Sequence, residues 1–525
     1  MASIKMLDCT LRDGGYCNQW RFGRSNISKI SEGLAESGID MIELGFITNK
    51  VKYDQDVSRY TAFAEAGNMI PKKRSGKTFV CMINYGEYRI EDIPDFDGTS
   101  VEGIRVAFHK KDMLAALTFC EEIQKKGYKV FIQAMVTLGY SDEEFLDLIR
   151  RVNRFRPYSF YIVDSFGVMK RKDLIRLFYM VEKNLSEGIS IGYHSHNNMQ
   201  LAYSNAQSLI DIRTNRDIII DSSVFGMGRG AGNLNTELFV EYLNDNMGAG
   251  YRLKPLLTII DDILNDFYQQ NYWGYSLPNY LSAKHNAHPN YAGFLDAKKT
   301  LNVENMDEIF AMMDEDKKTS YEKQYIEDLY IRYMASGEAN EAHLAELEAA
   351  IKGKEVLIIA PGISSLEEKE KIVAFAHQKD VVSISINFDY NEYKTDYIFL
   401  SNLRRYKELN EAGRSRCIAT SNIPSMNVYV QTKYKELLNA HETVEDNAAM
   451  MLIKFLIKLK AAKIYIAGID GYSADPTKNF ADQSMNFYTQ KMTFEAMNHG
   501  LNAALQDFSA EIAIEYLTAP RYVKV

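Results

Sequence analysis

Short β-rich apolar runs recur through the first 230 positions with helical patterns between them. The runs fall at 4–10 (IKMLDCT), 40–46 (DMIELGF), 78–83 (TFVCMI) and 103–108 (GIRVAF), then at 129–136 (KVFIQAMV), 160–166 (FYIVDSF), 190–195 (SIGYHS) and 218–225 (IIIDSSVF). Segments such as SKISEGLAESG and EEFLDLIRRVNRF carry apolar residues at helical spacing between them. Strands alternating with helices predict an all-parallel sheet. Eight is the strand number that closes a TIM barrel, for which about 250 residues is the usual span. An open doubly wound sheet satisfies the same periodicity.

The beat stops from about 250 to 350, where LKPLLTIIDDILNDFY and the stretch beginning SYEKQYIEDLY read as amphipathic helices with charged outer faces. A second βα beat begins after Gly353 with EVLIIAPGISSLEEKEK and continues through VVSISINFDY, DYIFLSN, CIATSNI and KIYIAGIDGY. The expected architecture is therefore mixed α/β. A (β/α)8 barrel over 1–245 is followed by a helical extension and connector over 246–350. A second, Rossmann-like α/β domain occupies 351–525.

With 525 residues the chain exceeds one ordinary domain. Its 46% hydrophobic and 25% charged content is that of a soluble globular protein. A net charge of −9 gives no reason to expect nucleic acid or an anionic membrane as partner. No apolar run is long enough for a membrane span, and the N-terminus lacks the pattern of a signal peptide. Five scattered cysteines suit a reducing compartment and offer no disulfide framework. A cytoplasmic location is expected, and a homo-oligomer is compatible with all of this.

In a βα barrel the chemistry lies where strands end and loops begin. Those ends carry Arg12-Asp13-Gly14-Gly15, Glu43, His109, Asp164-Ser165, the HSHNN segment with His194 and His196, and GMGRGAGNLNTE with Asn233. Alternate residues of a strand share a face, so His194 and His196 can reach one ion. Asp13 can add an oxygen ligand. Such a mixed N/O set without thiolate suits Mn²⁺ or Mg²⁺, with Co²⁺ or Zn²⁺ as alternatives. Gly14 and Gly15 are expected to let the backbone turn tightly beside that ion.

LDCTLRDGGY, followed far downstream by HSHNN and GMGRGAGNLNTE, resembles the DRE-TIM metallolyase superfamily over about residues 1–300, and the 4-hydroxy-2-oxovalerate aldolase-like branch most. The resemblance implies Asp13, His194, His196 and Asn233 as metal ligands, Arg12 as stabiliser of an enolate, and Glu43 in a supporting role. It also implies aldol cleavage beside a 2-oxo acid to a pyruvate-type product and an aldehyde. An acyl-CoA/2-oxo acid synthase is an alternative, as is a non-catalytic binding or scaffold protein. Asp164 and Ser165 match an Asp-Ser pair that borders the 2-oxo acid, and His109 and Tyr275 are further substrate-binding candidates.

The aldolases place a histidine base three residues after the metal aspartate, where this chain has Tyr16. A phenol with an ordinary pKa near 10 is a poor base at neutral pH. Tyr16 is then a residue that orients substrate, and His285 and His288 in AKHNAHPNYAGF are candidates for the base. In the second domain, the PGISS turn offers either helix capping or backbone N–H groups for a phosphate. This domain faintly resembles Rossmann-like sugar-nucleotide domains, which implies a phosphorylated or nucleotide-linked sugar as its partner. Arg404 and Arg405 would suit such an anion.

Overall fold

The computed structural model describes residues 3–73, 76–298, 301–337, 339–378, 380–390, 392–423, 427–487 and 491–524, the side chains of 491 and 492 excepted. The chain divides into two compact units, Met1–Phe294 with Asp314–Tyr321, and Leu295–Met313 with Glu322–Val525. The helical stretch that follows the first βα beat is thus shared between the two units.

In the first unit the eight sequence runs become β1 (Ile4–Asp8), β2 (Met41–Ile47), β3 (Thr78–Asn84), β4 (Gly103–Phe108), β5 (Lys129–Ala134), β6 (Ser159–Asp164), β7 (Ser190–Ser195) and β8 (Ile218–Ser222). Neighbours pair in parallel, and β1 pairs with both β2 and β8, which closes the barrel and excludes the open sheet. A two-residue strand, Arg59–Tyr60, adds to the end of β2. Helices cover the outside. Asp142–Phe155 shows how they form: Ser141 caps the first turn by accepting from the Glu144 N–H, and Phe145, Leu148, Ile149 and Val152 turn to the sheet.

The barrel interior changes character along its axis. Met41, Val80, Phe131, Tyr161 and Ile219 pack in an apolar layer. Gly103 and Gly192 make room for it, because a Cβ on either would stand 2.6 Å from Phe131 or 2.3 Å from Tyr161. Two residues further along the same strands, on the same face, stand Glu43, Arg105, His194 and Asp221. One period of strand separates the packed floor from a charged layer.

In the second unit, seven parallel strands form one sheet: β9 (Glu355–Ile359), β10 (Val381–Ile386), β11 (Tyr397–Leu400), β12 (Cys417–Thr420), β13 (Val430–Thr432), β14 (Lys463–Ala467) and β15 (Ala513–Tyr516). Their order is β13-β12-β11-β10-β9-β14-β15. The sequence pattern does not show β13, which is three residues long, or β15, whose four residues AIEY alternate between exposed and half-buried and so form no apolar run. No helix among the described residues is long and apolar enough to cross a membrane.

Candidate active site

Asp13 follows β1 in a tight turn and is fully buried. Gly14, next to it, has φ −57°, an ordinary right-handed value. The expectation that glycine supplies turning freedom here is corrected: the glycines supply room. A Cβ on Gly14 would stand 2.3 Å from the Thr10 carbonyl oxygen, and one on Gly15 would stand 2.0 Å from the Trp20 ring. Trp20 closes the turn by donating its indole N–H to the Arg12 carbonyl at 2.7 Å.

Arg12 donates from Nε to Glu43 Oε2 at 2.9 Å and from Nη1 to Asp13 Oδ2 at 2.8 Å. Its Nη2 is buried with no partner. Two carboxylates therefore lock the guanidinium plane and leave one donor free. Arg105, wholly buried, donates to the same Glu43 oxygen at 2.8 Å and also pairs with Asp221.

His194 lies between two carboxylates, with Nδ1 2.9 Å from Asp221 Oδ2 and Nε2 3.3 Å from Asp13 Oδ2. His196 brings its Nε2 to 3.7 Å from the same Asp13 oxygen. Burial alone would depress His194, but Asp13 and Asp221 outweigh it and raise its pKa. His196 is held at about 3, first by burial and then by the cation of Arg229, despite Asp13. Asp13 is pulled well below the usual carboxylate range, because Arg12, His196 and His194 together overcome its burial.

Asn233 sits in the glycine-rich loop after β8, bridged by its backbone to His196. Its Nδ2 donates to the Met227 carbonyl at 3.2 Å, and its Oδ1 is buried without a partner. Gly228 allows the amide this position, since a Cβ there would lie 2.1 Å from Nδ2.

These contacts make the test of a metal site. With Nδ1 of His194 donating to Asp221, Nε2 presents a lone pair to a carboxylate oxygen, and two acceptors that close together need a proton or a cation between them. Asn233 Oδ1 is a further buried oxygen with no donor. Ligand-type atoms of Cys9, Asp13 and His194 lie within 4.8 Å of one another. The Cys9 thiol donates to the Ser222 carbonyl at 3.2 Å, and burial pushes its pKa well up, so it behaves as a thiol rather than a ligand. The residues fit a divalent ion held by oxygen and imidazole nitrogen.

Arg229, in the same loop, is a residue the sequence reading passed over. Its backbone N–H reaches Asp13 Oδ1 at 3.4 Å, and Nη2 donates to the Ser165 carbonyl at 3.2 Å. Nη1 lies 3.3 Å from His288 Nε2, and the guanidinium stands 5.3 Å from the Tyr16 ring centre. Through Arg229, which also lies 3.5 Å from His196 Nε2, His288 is brought towards Asp13 and His196, whereas His285 ends the helix Leu277–Lys284. Burial and the neighbouring Arg229 hold His288 at about 2, so it stays neutral. The Tyr16 residue is 39% exposed, yet its hydroxyl is crowded by protein and its pKa is raised above that of a free phenol, against the pull of Arg229.

Asp164 spends both oxygens on the loop that follows β6, accepting from the N–H groups of Val168 and Met169 at 2.9 and 3.0 Å; burial raises its carboxyl to about 6. Ser165 Oγ accepts from the Val136 N–H at 2.9 Å. His109 follows β4, half-buried, its pKa lowered by burial and by Lys111. Tyr275 is 59% exposed on the loop before Leu277.

Fold and site together define a closed βα barrel with a carboxylate–imidazole centre at the carboxyl ends of its strands. A family model described as HMGL-like matches residues 106–261. An oxaloacetate decarboxylase of Mycobacterium tuberculosis is 26% identical over 45% of this chain and 69% of that protein. A 4-hydroxy-2-oxovalerate aldolase of Pseudoalteromonas translucida is 26% identical over 50% of this chain and 76% of that protein. Among solved structures, an N-terminal domain from Bacteroides vulgatus is 27% identical, covering 56% of this chain and 96% of that one at a TM-score of 0.47. The family model and the two relatives fit the DRE-TIM metallolyase superfamily.

Proposed function

We propose that the barrel is a divalent-metal-dependent carbon–carbon lyase that generates a pyruvate-type enolate from a 2-oxo acid, in the manner of a 4-hydroxy-2-oxovalerate aldolase. The observation that carries this reading is the free, buried Nη2 of Arg12 beside Asp13 and His194. Asp13, His194, His196 and Asn233 would hold the ion, Mn²⁺ or Mg²⁺ by its donor set. When bound, such an ion supplies Lewis-acid polarisation of a 2-oxo group.

Everything else is the work of the chain. Glu43 and Asp13 hold the Arg12 plane so that Nη2 points its N–H at developing negative charge without moving. Arg229 offers a second cation for the substrate carboxylate. His288, kept neutral at pH 7, is the imidazole that can accept the 4-hydroxyl proton. Tyr16, with its raised pKa, is suited to orienting substrate and not to taking a proton.

A second reading has its own observation. His288, the imidazole 3.3 Å from Arg229, is held at about 2, which makes it a weak base. Loss of CO₂ from a 2-oxo diacid yields the same enolate with no hydroxyl proton to remove, and one relative is named for that reaction.

Purified protein with metal removed by a chelator is expected to release no pyruvate from 4-hydroxy-2-oxo acids, and to regain release on adding Mn²⁺ or Mg²⁺. Pyruvate from oxaloacetate alone would select the decarboxylase reading. Release of free CoA thiol from an acyl-CoA and a 2-oxo acid would select the synthase, and silence in all assays would select the scaffold. Asp221→Asn removes the carboxylate that orients His194; weakened metal affinity by roughly 10–100-fold is expected by titration.

A further inference from the structure

The sheet of the second unit has one place where successive connections part. From β9 the chain moves to β10 on one side, whereas β14 lies on the other. Loops leaving such a point diverge and open a crevice at the carboxyl ends of the strands. Here it is a half-open cleft, its space of about 520 Å³ including the solvent at its mouth, lined among others by Pro361, Asn387, Asn447, Asp470, Tyr472 and Phe480. The loops after β9 and β14 pack tightly at its base: Gly468 has φ +76°, and a Cβ on it would meet the Ala360 carbonyl oxygen at 2.1 Å.

Two buried side-chain atoms of this lining have no hydrogen-bond partner among the described residues. Asp470 is 2% exposed; Oδ2 accepts from the Ser364 N–H at 2.8 Å, and Oδ1 has no partner. Asn387, on the facing strand end, also has a buried Oδ1 without a partner. Both bare atoms are acceptors. No lysine, arginine or histidine is among the lining residues. The Ser364 N–H, which the sequence left open to a phosphate, is taken by the Asp470 carboxylate. That charge would repel a phosphate from the spot. Of the two arginines that suit an anion, Arg405 is committed to Glu408 at 2.9 Å and to the Ser484 carbonyl at 3.1 Å, and Arg404 lies 3.9 Å from the same Glu408 carboxylate.

We propose that this crevice binds a neutral, hydroxyl-rich ring, a sugar or the ribose of a nucleoside, whose hydroxyls donate to Asp470 Oδ1 and Asn387 Oδ1 while Tyr472 and Phe480 supply an apolar wall. A buried acceptor without a donor is costly to a fold, and ligand hydroxyls would remove that cost. Burial raises the Asp470 carboxyl above its ordinary value, against the Ser364 bonds and the charge of Arg521. If the ligand carries a phosphate, that group lies outside the crevice. The proposal does not rest on the reading of the barrel.

Saturation-transfer NMR on the full-length protein tests it, with glucose, galactose, adenosine and uridine as probes, 2′,3′-dideoxyadenosine as the diol-free control and inorganic phosphate as competitor. Transfer to a hexose identifies a free sugar as the source. Transfer to a nucleoside but not to the dideoxy compound identifies ribose. In either case Asp470→Asn, which turns the bare acceptor into a donor, is expected to weaken binding at least tenfold. Asn387→Gly, which keeps the left-handed backbone (φ +66°) without strain, should weaken it as well and carries the test should Asp470→Asn fail to fold. No transfer to any of the four probes overturns the proposal, and so does displacement by phosphate or binding unchanged in the folded variants.

Discussion

Arg12→Lys is expected to lower kcat on the order of 10²–10³-fold while the metal content stays that of the unaltered protein. The charge survives, but the geometry does not. Arginine makes three demands at once here: Nε on Glu43, Nη1 on Asp13 and Nη2 free. A lysine ammonium can satisfy the two carboxylates or face the substrate, and its flexible stem fixes neither choice. Because the free donor is useful only once negative charge has built up, the loss should fall on kcat, with KM changed little. The measurement is steady-state pyruvate release together with metal analysis of the same preparation. A kcat within threefold of the original would show that Nη2 faces no reacting atom. Loss of metal along with rate would instead give Arg12 a role in holding Asp13.

Much of the barrel and of its centre was legible in the sequence because both obey short-range rules. Strand runs such as Met41–Ile47 and Gly103–Phe108 are buried on both faces, so each reads as one apolar block. His194 and His196 stand out because a period of two forces them to one face. Arg105 and Asp221 did not stand out, since each is a lone charge inside an apolar run, and a single sequence does not say which charge across the barrel will neutralise it. Arg229 was hidden for a different reason. It lies in a loop whose glycines (φ +67° at Gly230 and +83° at Gly232) set a path that no periodicity encodes. The tight turn at Gly14 was visible, but its cause was not, because crowding by Thr10, Met227 and Trp20 is a fact of packing. In the second unit, Asp470 lies 106 residues from the Ser364 N–H that it binds, and this long-range pairing is what changes the sort of ligand the PGISS turn can serve.

Arg105→Leu is expected to destabilise the barrel by about 3–5 kcal/mol, the usual cost of removing one partner from a buried charge cluster. The side chain is fully buried between Glu43 and Asp221, with its guanidinium 4.9 Å from the Tyr161 ring centre. Without it, Glu43 keeps only Arg12 and Asp221 keeps only His194, so negative charge in the layer exceeds the cations that face it. The damage should extend to function, because Glu43 then has no second anchor to hold the Arg12 plane and Asp221 no fixed position from which to orient His194. Tryptophan fluorescence isolates the effect, since Trp20 and Trp273 are the only tryptophans of the chain and both lie in the first unit. Denaturant unfolding followed at that signal should show a lower midpoint with an unchanged slope. Adding Glu43→Gln to Arg105→Leu removes one orphaned charge and is expected to recover part of the loss. A single-variant loss below about 1 kcal/mol would mean that the cluster relaxes without its cation.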